Sequence, residues 1–181
     1  MALAELPQPS AFVTDYRAVL ESAAAGRPLL DLACGRGRHA LLAARWGLPV
    51  IGLDRDPSAL AALRRAARGE SLTVATLRAD AEDPRGLPLR RASLGAIVVT
   101  RFLCRALAPA LVEALAPGGV LLYETFTRRQ RALGTGPRNP DYLLEEGELP
   151  RLFASLEIVE SREGLVDERA WLASLVARKP V

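Results

Sequence analysis

Two glycines one residue apart, Gly35 and Gly37, follow an apolar run that carries an acid in LLDLACGRGRHALLA, residues 29–43. Glycine enters backbone conformations that other residues avoid, and it lets a ligand approach the main chain. The alanine-rich segment after it reads as a helix, whose N-terminus favours negative charge. This turn is suited to an anion, either a phosphate or a carboxylate. Three acids accompany it. Asp31 ends the first apolar run, Asp54 ends a second, 19 positions after Gly35, and Asp80 ends a third. An acid placed like Asp54 grips ribose hydroxyls. Two charge-assisted hydrogen bonds there contribute roughly 1.5–3 kcal/mol each.

Gly35-x-Gly37-x-x-Ala40 also fits the dinucleotide fingerprint, which by itself is a weak signal. Asp31 argues against a pyrophosphate, because a carboxylate facing the loop repels it. A zwitterion suits both features: its carboxylate takes the loop and helix amides, and its ammonium sits near acid and carbonyl groups. Asp80 offers an acceptor to an adenine amino group. A chain of 181 residues also leaves no second domain of the kind most nicotinamide dehydrogenases have. A ligand with a ribose, an adenine and an amino-acid tail is S-adenosylmethionine.

The elements that must hold these residues alternate in period. PLLDLA, LPVIGLD, SLTVATLRAD, LGAIVVT and PGGVLLYETF read as strands. Between them, residues 38–46, PSALAALRRAAR and RALAPALVEAL read as helices, the last broken near Pro109 or starting there. Residues 10–26 have helical spacing and end in glycine. Alternation of this kind predicts an α/β fold with an open, mostly parallel sheet. Residues 127–148 carry glycine, proline and charge without a period, which predicts a lid-like loop. A short helix near 149–154 follows, then LEIVESRE and RAWLASLVARK, which read as an antiparallel hairpin at the sheet edge. The expectation is one domain over 1–181, with an N-terminal helical segment over 1–26. Its sheet is Rossmann-like and seven-stranded, with helices on both faces and an antiparallel last strand.

Composition narrows the class. Half the chain is apolar and a quarter is charged, so it reads as globular. No apolar run approaches the ~20 residues of a membrane span, and MALAELPQPSAF lacks the basic region of a signal peptide. A cytoplasmic location is expected. Cys34, Cys104 and His39 are the only cysteines and histidine, so neither a disulfide framework nor a zinc site is expected. The arginines are interleaved with acids and net charge is +3, which points away from specific nucleic-acid binding.

LLDLACGRGRHA, VIGLD and LRADAED resemble the first three motifs of class I S-adenosylmethionine-dependent methyltransferases, and LAPGGVLLYETF resembles their fifth-strand motif. The acid-x-Gly-x-Gly-x-Gly pattern of that family stands here as Asp31, Ala33, Gly35 and Gly37, with alanine at the first glycine. EEGELPRLFASLEIVESREG and SLVARKP resemble the C-terminal part of the tellurite-resistance (TehB-like) branch. The resemblance implies that Asp31, Ala33 and Gly35 line the methionine part of the cofactor. It implies Asp54 on the ribose, Arg55 beside the adenine, Asp80 on the adenine amino group and the Ala81 N–H on the ring nitrogen. Thr100 and Arg101 then lie nearest the sulfonium, with the Thr100 carbonyl on the methionine ammonium. The product would be S-adenosylhomocysteine, and the acceptor a small molecule. The hairpin GLVDERAW departs from the TehB-like branch: it lacks histidine and has only Arg162 and Arg169 nearby, which argues against tellurite or thiopurine acceptors.

Arg101, Tyr123 and Glu124 stand at the strand ends, where such sheets hold their active sites, and are the catalytic candidates. Phe126 shares that edge. His39 reads as structural, Cys34 and Cys104 as small buried residues, and Asp56, before Pro57, as a helix cap. TRRQR, 127–131, reads as a solvated loop. Two other functions fit the residues less well: a nicotinamide-dependent oxidoreductase, and a methyltransferase-fold protein that binds or acts on nucleic acid.

Overall fold

A computed structural model describes residues 8–181. Residues 1–7, which belong to the helical segment 1–26 and to the stretch read as no signal peptide, lie outside the described residues. The chain runs α1 (Ala11–Asp15), α2 (Arg17–Ala23), β1 (Leu29–Leu32), α3 (Arg38–Arg45), β2 (Val50–Asp54), α4 (Pro57–Gly69), β3 (Val74–Arg78) and β4 (Leu94–Thr100). It continues with α5 (Ala108–Ala114), β5 (Leu115–Phe126), α6 (Glu148–Leu152), β6 (Glu157–Val166) and β7 (Ala170–Arg178). The seven strands form one sheet in the order β3-β2-β1-β4-β5-β7-β6. All neighbours from β3 to β5 are parallel, and β7 is antiparallel to both β5 and β6. The Rossmann-like reading with an antiparallel last strand is borne out.

Core strands buried on both faces carry continuous apolar runs, as LGAIVVT does. Alternate residues serve opposite sides. Ala96 and Val98 pack with Leu20, Leu41 and Leu60 of α2, α3 and α4. Ile97 and Val99 pack with Leu111, Leu149 and Phe153 on the α5 and α6 side. Helices therefore cover both faces.

Two local outcomes differ from the sequence reading, at 10–26 and at 127–148, and the connection from β3 to β4 agrees with it. The helix expected over 10–26 is two helices, with a break at Tyr16 (φ −96°, ψ 21°). Val13 is buried in α1 and Leu20 in α2, while the Tyr16 hydroxyl donates to Glu160 on β6. Among the described residues no helix joins β3 to β4. Pro84 and Pro88 interrupt that connection, and Ala81, Leu87 and Leu89 pack on the core instead. The stretch 127–148 is shaped rather than featureless: it has 3-10 turns at Arg128–Leu133 and Pro140–Tyr142, a bridge from Thr127 to Leu144, and fully buried Leu143 and Leu144.

The hairpin closes with Asp167 and Glu168 at φ 49° and 55° and a 3.0 Å bond from the Arg169 amide to the Val166 carbonyl. Two successive left-handed residues match the right-handed twist of the flanking strands. The turn carries β7 back beside β5, and β6 is left at the edge.

Candidate cofactor and acceptor site

The turn after β1 is built from left-handed residues: Ala33 at φ 52°, Gly35 at 54° and Gly37 at 82°. The two glycines do different work. Nothing stands within 4 Å of where a Gly35 side chain would lie, and its amide donates to Asp54 Oδ2 at 2.7 Å. A Cβ on Gly37 would stand 2.3 Å from Leu63 of α4. Gly37 thus serves the packing of α4 and the start of α3, and the ligand-facing room is at Gly35.

Asp31 is buried, and its Oδ2 accepts the Ala40 amide at 2.9 Å. Gly37, at the N-cap of α3, has no side chain to take an orphan amide, so Asp31 reaches across from β1 to do it. Burial raises the Asp31 pKa to about 7, against the opposing pull of the Ala40 bond and of Arg38.

Beyond the turn lie adjoining clefts. One, of about 350 Å³, is lined by Asp54, Arg55, Asp80, Ala81, Phe102 and Tyr142, among others. The next, of about 290 Å³, is lined by Asp31, Gly35, Arg38, His39 and Thr100. Ala33 and Arg101 border both. Asp80 Oδ1 accepts the Glu82 amide at 3.0 Å, and Arg55 lies 3.1 Å from Glu82 and 3.8 Å from Asp80. The carboxyl ends of β1 to β4 thus bring together the acids and small residues expected from the sequence, at the edge where open α/β sheets bind ligands.

A third cavity, of about 710 Å³, opens between the N-terminal helices and the β6–β7 hairpin. Phe12 and Tyr16, 5.4 Å apart and edge to face, form one wall, and Arg38, Arg101 and Glu124 another. Arg101 borders all three spaces. Its backbone is left-handed (φ 53°), and its amide is fixed to the Glu124 carbonyl at 2.8 Å.

Ser10 ties this corner together. Its hydroxyl donates to Glu124 Oε1 at 2.7 Å, and its amide donates to His39 Nε2 at 3.1 Å. Accepting at Nε2 puts the histidine proton on Nδ1, 3.2 Å from Thr100 Oγ1. Burial lowers the His39 pKa to about 3, helped by Arg38 and Arg101, so the ring is a neutral strut. Burial raises the Glu124 pKa, while Ser10, Arg101 and Arg38 pull it back down.

Tyr123 is a correction. It is buried against Phe153, ring centroids 5.5 Å apart, in the core on the α5 and α6 side. Successive strand residues face opposite sides, so Glu124 at the cavity requires Tyr123 away from it. Burial raises its pKa further from use. Asp56 accepts the Ser58 amide at 2.7 Å as a cap, and Cys34 is buried, as read from the sequence, whereas Cys104 is only partly buried. The stretch 127–131 is not the solvated loop expected: Arg128 and Arg129 are exposed and pair with Glu145 and Glu146, but Thr127 and Gln130 are buried. Sequence reasoning missed Arg38, Ser10 and the Phe12–Tyr16 wall. Arg38 was readable from its place as the first residue of α3. Ser10 carries no local signal, because its partners lie 29 and 114 positions away.

A glycine turn after β1, acids after β2 and β3, and an antiparallel β7 beside β5 define a class I S-adenosylmethionine-dependent methyltransferase domain. Residues 29–119 match the family described as "Methyltransferase domain", and the chain belongs to that family. No curated protein matches it in sequence. Among solved structures it is similar to TehB from Haemophilus influenzae (TM-score 0.73, 22% identity, 94% of this chain and 62% of that one). It is also similar to S-adenosylmethionine-dependent methyltransferases from Mesorhizobium loti (TM-score 0.72, 21% identity, 92% and 96% covered) and Methanosarcina mazei (TM-score 0.72, 20% identity, 97% and 100% covered). At these identities the likeness is one of fold, and the chain spans 62% of the length of TehB. No helix among the described residues is long and apolar enough to cross a membrane.

Proposed function

We propose that the chain transfers a methyl group from S-adenosylmethionine to a small molecule held in the cavity between the N-terminal helices and the β6–β7 hairpin. The observation that carries this reading is the position of Arg101, which borders both cofactor clefts and that cavity. A donor in the clefts and an acceptor in the cavity would meet there.

The residues present fit the cofactor. Asp54 and Asp80 offer carboxylates to the ribose and the adenine amino group, with apolar Leu53, Phe102 and Leu103 about the base. Gly35 leaves its side-chain direction open for the methionine tail, and Arg38 and Thr100 line the same cleft. When bound, S-adenosylmethionine supplies a methyl group already activated on a sulfonium. The protein then needs to align the two reactants and exclude water. Ser10, held by His39 and Glu124, closes the corner with the N-terminal segment. Glu124 is placed to take the proton from an acceptor N–H or O–H, and burial brings its basicity closer to that task. The acceptor gains the methyl group and loses that proton, and S-adenosylhomocysteine remains. The free thiols Cys34 and Cys104 support a cytoplasmic setting.

The test is transfer of labelled methyl from S-adenosylmethionine to a panel of small nucleophiles, with polynucleotides as a parallel arm. Label on a small acceptor, lost in Glu124→Gln, supports the reading. Label only on polynucleotide contradicts it.

A further inference from the structure

The segment after β5 reaches the nucleoside cleft and not the acceptor cavity. Pro137 and Tyr142 line the same cleft as Asp54, Asp80, Ala81 and Phe102. Tyr142 is 41% exposed, whereas Leu143 and Leu144 beside it are fully buried. An exposed aromatic ring between a capped turn and two anchoring leucines is placed, not loose. Asn139 Oδ1 accepts the Asp141 amide at 3.0 Å and so sets the turn Pro140–Tyr142. Arg105, just after β4, holds both flanks of the tyrosine. It donates to the Asp141 carbonyl at 2.6 Å and to the Leu143 carbonyl at 3.0 Å, and it pairs with Glu148 at the start of α6.

We infer that Tyr142 is a cofactor-binding residue that covers the adenine ring, and that Arg105 is the residue that positions it. The inference rests on the reading that the nucleoside occupies this cleft. Aromatic rings contribute to nucleobase binding by stacking, which tolerates any base because every base has a π-face. Asp80 reads the edge of the ring, and Tyr142 adds an apolar cover that excludes water from it. The stretch 127–148, expected as a lid-like loop, is on this account a cover for the donor, and the N-terminal segment closes the acceptor side.

Calorimetric titration with S-adenosylhomocysteine, and with methylthioadenosine, which keeps the base and ribose but lacks the amino-acid tail, tests this. Tyr142→Ala is expected to weaken both ligands about tenfold, while Tyr142→Phe stays close to the parent. Arg105→Ala is expected to weaken both as well, with faster hydrogen exchange over 139–144. If Asp80→Ala weakens both ligands and Tyr142→Ala weakens neither, the inference falls and the cleft assignment stands. If neither variant loses affinity while the parent binds, the nucleoside lies elsewhere and both fall. A loss in Tyr142→Ala for S-adenosylhomocysteine alone would also overturn it, because the ring would then act on the tail.

Discussion

The Gly35 amide donates to Asp54 Oδ2 at 2.7 Å, and the Asp56 amide donates to Oδ1 of the same carboxylate at 2.9 Å. One side chain thus joins the turn after β1 to the loop after β2, and it borders the cleft proposed for the nucleoside. Ribose hydroxyls would exchange with or add to these amide bonds. Asp54→Ala is expected to weaken S-adenosylhomocysteine at least ~10-fold, or about 1.4 kcal/mol. Calorimetry on a variant shown to be folded checks it, and unchanged affinity would refute the ribose role.

Glu124 and Arg101 are expected to matter more for turnover than for cofactor affinity. Glu124→Gln and Arg101→Ala should lower kcat while S-adenosylhomocysteine binding changes little. Ser10→Ala removes a hydrogen bond that lowers the Glu124 pKa. With an acceptor that must lose a proton, the acidic limb of the kcat profile should move to higher pH. A limb that stays in place would show that Glu124 is not the titrating base.

Two buried groups make opposing contributions to stability against pH. Asp31, with its pKa raised to about 7, contributes stability below its unfolded value near 3.8 that is lost as pH rises through 7. His39, with its pKa lowered to about 3, contributes stability above its unfolded value near 6.5 that is lost as pH falls through 3. Between pH 4 and 6.5 the two slopes oppose each other. Asp31→Asn should leave stability rising with pH across that window, and His39→Gln should leave it falling. Denaturant midpoints at pH 4.5 and 6.5 measure both. Equal slopes in the two variants would contradict the assignments.

Gly95 is expected to tolerate no side chain. A Cβ there would stand 2.3 Å from the Ala23 carbonyl oxygen and 2.8 Å from the Ala24 Cα, where the end of α2 crosses β4. Both obstacles are backbone, so neither can turn aside. Gly95→Ala should cost at least ~1–3 kcal/mol, read as a lowered Tm. A neutral effect would mean that α2 is not seated as described.

The sheet, its one antiparallel strand and the acids and small residues gathered at its carboxyl edge were legible because each has a local cause. Apolar runs of strand length, a glycine turn, and acids at strand ends reveal themselves within a few residues. The departures are non-local. Nothing within residues 10–26 announces that Tyr16 will bond to Glu160 and break a helix, since the partner lies 144 positions away. Tyr123 and Glu124 were equal candidates by chemistry, and only the sheet's alternation separates them. Gly35 and Gly37 looked equivalent in the motif, yet Leu63 fills the space beside one and nothing fills the other. The stretch 127–148 lacks a period because side-chain bonds hold it in place of a regular element: Arg105 and Gln130 donate to its carbonyls, and Gln130 Oε1 accepts the Trp171 amide of β7.

The central claim is that the turn after β1 receives an amino-acid tail, with the adenosine beside Asp54 and Asp80. Calorimetric titration of the purified protein with S-adenosylhomocysteine, with NADH and NADPH in parallel, tests it most directly. The account predicts micromolar binding of S-adenosylhomocysteine and none of either dinucleotide. Binding of a dinucleotide alone would mean that the turn holds phosphate, and every site assignment built on the tail would fall with it.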